Sequence, residues 1–120
     1  MPKTILIVDD SAITRGVQRQ VLSRAGYEVV EAADGVEAQA KAAGVDGVLC
    51  DLSMPNLDGL GFLRWLRGQP ESRRVPFVFM TTETRQSQKD AGRVMGASAW
   101  VPKPCSPEKL LQVMQRVCPL

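Results

Sequence analysis

The chain contains no histidine. That absence removes the commonest general base, most zinc sites and any role as a kinase that carries phosphate on its own imidazole. Cysteine is scarce: Cys50, Cys105 and Cys118 are odd in number and lack zinc-type spacing. They fit small buried thiols in a reducing compartment better than a disulfide framework. No run of apolar residues is long enough to cross a bilayer, and the stretch from Thr4 to Val8 ends in two acids. A membrane span and a secretory leader are both excluded, so a soluble, cytoplasmic protein without a membrane partner is expected. Aromatics are only 5% of the chain and no dense basic cluster is interleaved with them, so no nucleic-acid partner is expected.

What is present suits one globular domain, expected over residues 1–120 with no output domain. At 120 residues, 44% hydrophobic and 23% charged, the chain can bury one substantial core. The net charge of +2 conceals an asymmetry. The first sixty residues carry 5 basic and 9 acidic side chains, and the last sixty carry 10 and 4. The acidic first half offers a corner suited to a cation.

Five short apolar runs recur through the chain: Thr4 to Val8, Glu28 to Ala32, Gly47 to Cys50, Pro76 to Met80, and Ala99 to Pro102. Their length and their bounding turn residues suggest buried strands. Helical spacing fills the gaps. Ile13, Val17 and Val21 fall four apart, with Leu22 and Ala25 beside them and Gly26 as a stop. Asp34 with Glu37 forms a capping pattern ahead of a helix using Val36 and Ala40. Asp58 caps a third helix with Leu60, Leu63 and Leu66 on one face, and Thr84 a fourth, weakly apolar one reaching Met95. Ser106 and Pro107 open a fifth with Leu110, Met114 and Val117 inward. Strict alternation of strand and helix predicts an α/β fold, a doubly wound five-stranded parallel sheet of order 2-1-3-4-5, flavodoxin-like. Sites in such sheets lie at the carboxyl ends of the strands.

Each strand end then becomes informative. Asp9 and Asp10 follow the first strand, and Ser11 can cap the next helix itself, leaving two carboxylates without a structural task. Asp51 ends the third strand, the neighbour of the first. Three converging carboxylates repel one another unless a hard cation joins them, and a set of oxygen ligands points to Mg2+. Thr81 ends the fourth strand, and Lys103, between Pro102 and Pro104, ends the fifth. An alcohol and an ammonium thereby reach the same crevice.

The tracts Val8-Asp9-Asp10-Ser11, Asp51-Leu52-Ser53-Met54-Pro55-Asn56-Leu57-Asp58-Gly59, Met80-Thr81 and Lys103-Pro104, with Asp34-Gly35, occur in order along the whole chain. In these the chain resembles a receiver domain of a two-component response regulator, of the stand-alone, chemotaxis-regulator-like kind. The resemblance implies that Asp51 accepts a phosphoryl group from a histidine kinase or histidine phosphotransfer protein. It also implies that Asp10, Asp51 and the Ser53 carbonyl ligate Mg2+, with Asp9 holding the ion through water. Lys103 and Thr81 would meet phosphoryl oxygens. Trp100 stands at the family's switch aromatic and is expected to turn inward on activation, changing the face of the fourth helix, fifth strand and fifth helix that meets a downstream protein. A monomeric signalling protein, not an enzyme with a turned-over substrate, is expected.

Thr82, Cys105 and Pro102 depart from common family residues, Ser53 and Glu83 occupy positions that tune phosphoryl lifetime, and a cis Lys103-Pro104 bond is implied. The basic second half suggests an acidic partner surface. Two other architectures fit poorly. A haloacid-dehalogenase phosphatase needs an acid where Ser11 stands, and a flavodoxin's flavin phosphate would be repelled by Asp9 and Asp10. The alternative of another class is a receiver-like interaction module or phosphate sink whose partner binding ignores phosphorylation.

Overall fold

A computed structural model describes residues 2–120. Five parallel strands, β1 (Thr4–Val8), β2 (Glu28–Ala32), β3 (Gly47–Cys50), β4 (Phe77–Thr81) and β5 (Ala99–Pro102), form one sheet in the order β2-β1-β3-β4-β5. Between and after them run α1 (Ala12–Arg24), α2 (Gly35–Lys41), α3 (Gly59–Arg67), α4 (Gln86–Val94) and α5 (Pro107–Val117), with a short 3-10 turn at Pro70–Ser72. The expected fold class and strand order are both found.

The three inner strands are covered on both faces, which is why they read as unbroken apolar runs. Ile5, Ile7, Leu49, Val78 and Met80 point to the layer of α1 and α5, where Leu22, Leu110 and Met114 meet them. Leu6, Val8, Phe77 and Phe79 point the other way, to Ala38 and Ala42 of the α2 layer and to Phe62, Leu63 and Leu66 of α3. Each such side chain withdrawn from water contributes roughly 1.5–3 kcal/mol. This double layer gives β1, β3 and β4 a rigid frame, and their carboxyl ends open on one edge.

Helix starts follow local chemistry. Ser11 accepts from the Thr14 N–H at 3.2 Å, Asp34 from Glu37 at 2.8 Å, Asp58 from Gly61 at 2.8 Å and Ser106 from Lys109 at 3.1 Å. Gly26 lies just past α1 at φ 104°, a conformation that only glycine adopts freely.

Four expectations need correction. The fourth strand runs one residue later than the apolar run Pro76 to Met80, with Thr81 its last residue as expected. Thr84 does not cap α4; Arg85 holds that position without a side-chain bond, and the Glu83 carboxylate takes the Thr84 and Arg85 N–H groups instead. In α2 the buried positions are Gly35 and Ala38, while Val36 and Ala40 are exposed, because the close approach of Leu57 to Gly35 sets the roll of that helix. In α1 only Val21 of the row Ile13, Val17, Val21 packs against the core. Gln18 and Leu22 are buried against the sheet, whereas Ile13 is 83% exposed and Val17 54%.

Candidate functional site

β1 and β3 are adjacent, and Asp51 N–H donates to the Val8 carbonyl at 2.9 Å, so the two strand ends are level. From them Asp9, Asp10 and Asp51 bring one carboxylate oxygen each to within 4.8 Å of one another. Asp9 is buried, Asp51 partly covered and Asp10 exposed. The Lys103 ammonium, arriving from the end of β5, donates to Asp9 Oδ2 at 2.7 Å and Asp51 Oδ2 at 2.9 Å. Burial alone would pull the ammonium below its ordinary 10.5, but the bonds to Asp9 and Asp51 and both negative charges outweigh it and raise it. Lys103 therefore stays charged across the physiological range.

The other oxygens of Asp51 and Asp9 are also held. Asp51 Oδ1 accepts from its neighbour Leu52 N–H at 2.7 Å, and Asp9 Oδ1 from Ser11 N–H at 2.9 Å. Asp9 thus does have a structural task, turning the chain into α1, which corrects the expectation that both acids are free of one. Behind Asp51, Gly59 packs so closely that a Cβ there would meet the Asp51 carbonyl and the Phe79 ring. The tract from Asp51 to Gly59 is compact for that reason. Burial, then the charges of Asp51 and Asp9, push the Cys50 thiol well above its usual 9.0, so it stays a neutral donor to the Asp51 carbonyl. The bond between Lys103 and Pro104 is cis, matching expectation.

Thr81 is buried, and its hydroxyl accepts from Glu83 N–H at 3.2 Å. It borders a cavity of about 450 Å³ shared with Ser53, Thr82, Glu83 and Arg85. The Arg85 guanidinium, joined by backbone N–H groups, holds the Glu83 carboxyl down at about 2 against an ordinary 4.5. Trp100 is not part of this cavity. Its ring lies against Phe79, 5.1 Å between centroids, and next to Gly92 of α4. Arg15 was not singled out from the sequence, yet it donates to the Asp9 carbonyl and pairs with Glu31 at 3.1 Å. No local signal marks that contact, since its partners come from different strands.

The three carboxylates and one ammonium leave two negative charges. A divalent ion fits both the charge and the donor set: ligand oxygens across a Mg2+ ion lie about 4.2 Å apart, and the three oxygens here lie within 4.8 Å of one another. No histidine or thiolate competes for a softer metal.

The response regulator receiver domain family matches residues 5–115. The chain belongs to this family. Among solved structures, the chemotaxis response regulator CheY4 of Vibrio cholerae superposes with a TM-score of 0.92 at 41% identity, covering 98% of this chain and 99% of that one. The receiver domain of the sensor histidine kinase PA1611 of Pseudomonas aeruginosa PAO1, with a magnesium ion coordinated in its active-site cleft, has a TM-score of 0.87 at 30% identity, covering 98% of each chain. Among curated relatives, the polar-differentiation response regulator DivK of Brucella anthropi is 27% identical over 117 residues, 96% of this chain and 95% of its own. The response regulator MprA of Mycobacterium sp. (strain KMS) is 40% identical over 96% of this chain, which spans only 50% of MprA's length. Receiver domains are signalling proteins that bind Mg2+ in an acidic pocket and meet histidine kinases or phosphotransfer proteins as well as downstream targets. Among the described residues no helix is long and apolar enough to cross a membrane.

Proposed function

We propose that this receiver domain accepts a phosphoryl group on Asp51 from a phosphohistidine of a partner kinase or phosphotransfer protein. The observation that carries the reading is Asp51 itself, at a strand tip, within 4.8 Å of two further carboxylates and 2.9 Å from the Lys103 ammonium. In the transfer the donor's N–P bond breaks as a bond from an Asp51 carboxylate oxygen to phosphorus forms, and the imidazole leaves with the N–P electron pair. Positioning and charge stabilisation suffice for such a step, so the lack of a histidine base is no obstacle. Asp9, Asp10, Asp51 and the Ser53 carbonyl would hold Mg2+, which when bound supplies positive charge against the phosphoryl oxygens. Lys103 stays beside Asp51 and meets one of those oxygens.

The product adds about −1.5 to −2 charges next to Thr81. The Thr81 hydroxyl exchanges Glu83 N–H for a phosphoryl oxygen, and the space it vacates is open to rearrangement by Trp100 through Phe79. That change reaches the face of α4, β5 and α5, where a downstream protein would read it.

The donor's seat follows from the exposed row on α1. Ile13, Val17 and Val21 line a cavity of about 450 Å³ with Pro104, Cys105 and Lys103, so the apolar groove adjoins the phosphoacceptor through Lys103. A donor presenting an apolar helix ridge fits there.

The test is incubation with a small-molecule phosphodonor, with and without Mg2+, followed by mass measurement of the parent and Asp51→Asn. One phosphoryl group is expected on the parent, only with metal, and none on the variant. Uptake by Asp51→Asn would put the acceptor at another residue, and none by the metal-loaded parent would leave an interaction module instead.

A further inference from the structure

Every polar atom of Asp9 is tied down. Its N–H donates to the Ala32 carbonyl at 3.1 Å, its Oδ1 accepts from Ser11 N–H, its Oδ2 from Lys103, and its carbonyl from Arg15. The last bond differs from the others in what lies beyond it, because that carbonyl belongs to the peptide that leads into Asp10. Peptide units are planar, so holding the oxygen fixes the plane from which the Asp10 backbone and side chain depart. The Asp10 carboxylate is exposed and has no partner of its own among the described residues, yet it offers an oxygen within 4.8 Å of those of Asp9 and Asp51.

Arg15 is itself held. It stands one turn into α1, where long side chains run back toward the helix start, so its guanidinium reaches the turn that carries Asp9 and Asp10. Nε donates to Glu31 Oε1 at 3.1 Å while Nη1 donates to the Asp9 carbonyl, and Arg19 holds the other Glu31 oxygen at 2.6 Å. The Arg15 side chain is only 16% exposed. A planar fork of donors spans two such partners at once, which the point charge of a lysine does not do with the same rigidity. The place otherwise disfavours a cation, since a helix start carries partial positive charge and α1 has no acid in its first turn. Glu31, arriving from β2, offsets that cost.

We propose that Arg15 is a positioning residue of the acidic notch: held by Glu31, it fixes the Asp9–Asp10 peptide, aims the Asp10 carboxylate at the ion site and so sets the affinity for Mg2+. The inference rests on the reading of the notch as a Mg2+ site and goes beyond it to what orders the ligands. A purely electrostatic role would have the opposite sign. A guanidinium near the notch repels a divalent cation, so losing its charge alone would tighten binding. Losing a brace weakens binding instead, because the ligand must then be ordered at the moment the ion arrives. Groups that orient metal ligands commonly contribute roughly 10–100-fold to affinity.

The experiment is calorimetric titration of the full chain with Mg2+, paired with the rate of phosphoryl uptake from a small-molecule phosphodonor across metal concentrations. Arg15→Met is expected to bind Mg2+ about tenfold more weakly than the parent, and to regain the parent's rate at saturating metal because Asp51 and Lys103 are untouched. Arg15→Lys keeps the charge but not the fork, and is expected to fall between the two. Glu31→Ala is expected to lose several-fold, and its combination with Arg15→Met to lose no more than Arg15→Met alone. Arg19→Met removes a like charge from the same network without touching Asp9, and is expected to shift affinity by less than about twofold. Should Arg15→Met fail to fold, Arg15→Lys and Glu31→Ala carry the same comparison. Unchanged or tighter Mg2+ binding on loss of Arg15, additive losses in the double variant, a rate that stays low at saturating metal, or no Mg2+ binding by the parent would overturn the proposal. Affinities in the expected order without phosphoryl uptake by the parent would sink only the phosphoacceptor reading, and uptake with equal affinities only this one.

Discussion

Asp10 carries a charge that the metal-free fold would be better without. It is exposed and makes no hydrogen bond or ion pair among the described residues, yet it shares the notch with Asp9 and Asp51. With the oxygens within 4.8 Å of one another, each pair repels by at least roughly 3.5 kcal/mol at an effective dielectric of about 20, and by at least roughly 0.9 kcal/mol in bulk water. Exposure moves Asp10 toward the lower figure, and attraction to Lys103 offsets part of the repulsion. The net cost is about 1–2 kcal/mol. Asp10→Asn removes it at nearly constant shape. In chelator the variant is therefore expected to be more stable by that amount, a rise of about 1 M in the urea midpoint for a slope near 1.5 kcal/mol per M. With Mg2+ the order reverses. A ligand at about a hundred times its dissociation constant stabilises the fold that binds it by about 2.7 kcal/mol, and Asp10→Asn forfeits most of this gain. The assay is urea unfolding followed by tryptophan fluorescence, with and without metal, at low and high salt. A variant less stable than the parent in chelator would refute the repulsion argument. Equal stabilisation of both proteins by Mg2+ would refute the ligand assignment.

Three further outcomes can be checked. Lys103 is raised above 10.5, so its stabilising contribution is complete below that pH and is lost as pH climbs through the higher folded value. Lys103→Met should cost about 3 kcal/mol at neutral pH, since it leaves buried Asp9 uncompensated, and should abolish the alkaline decline in a urea-stability profile. Gly59→Ala places a methyl against the Asp51 carbonyl and the Phe79 ring, and should lower unfolding free energy by about 1–3 kcal/mol and reduce phosphoryl uptake. Ile13→Asp should leave stability within about 0.5 kcal/mol, because the side chain is 83% exposed, yet slow phosphotransfer from a donor protein while sparing uptake from a small-molecule donor.

Strand ends were readable because each buried run stops at a polar residue whose chemistry is distinctive. Val8 gives way to Asp9, Cys50 to Asp51, and Pro102 to Lys103, so these strand-end residues follow from pattern, while Ser53 and part of the strand order came with the family resemblance. Caps were readable at Ser11, Asp34, Asp58 and Ser106, since a cap is a contact across three residues. The roll of each helix was not. Apolar spacing in α1 marks Ile13, Val17 and Val21 as one row, but which row faces the sheet depends on where the helix axis lies over it. There Gln18 and Leu22 took the inner side.

The chain order of acids, alcohol and amine thus determined the family, because strand periodicity and turn chemistry are local, and the strand order came in part with the family resemblance. Tertiary structure alone decided that Lys103 spans Asp9 and Asp51, and that Glu31 holds Arg15 where it braces the Asp9 carbonyl. Those contacts join residues far apart in sequence, and their distances depend on how helices settle on the sheet, which no local spacing records.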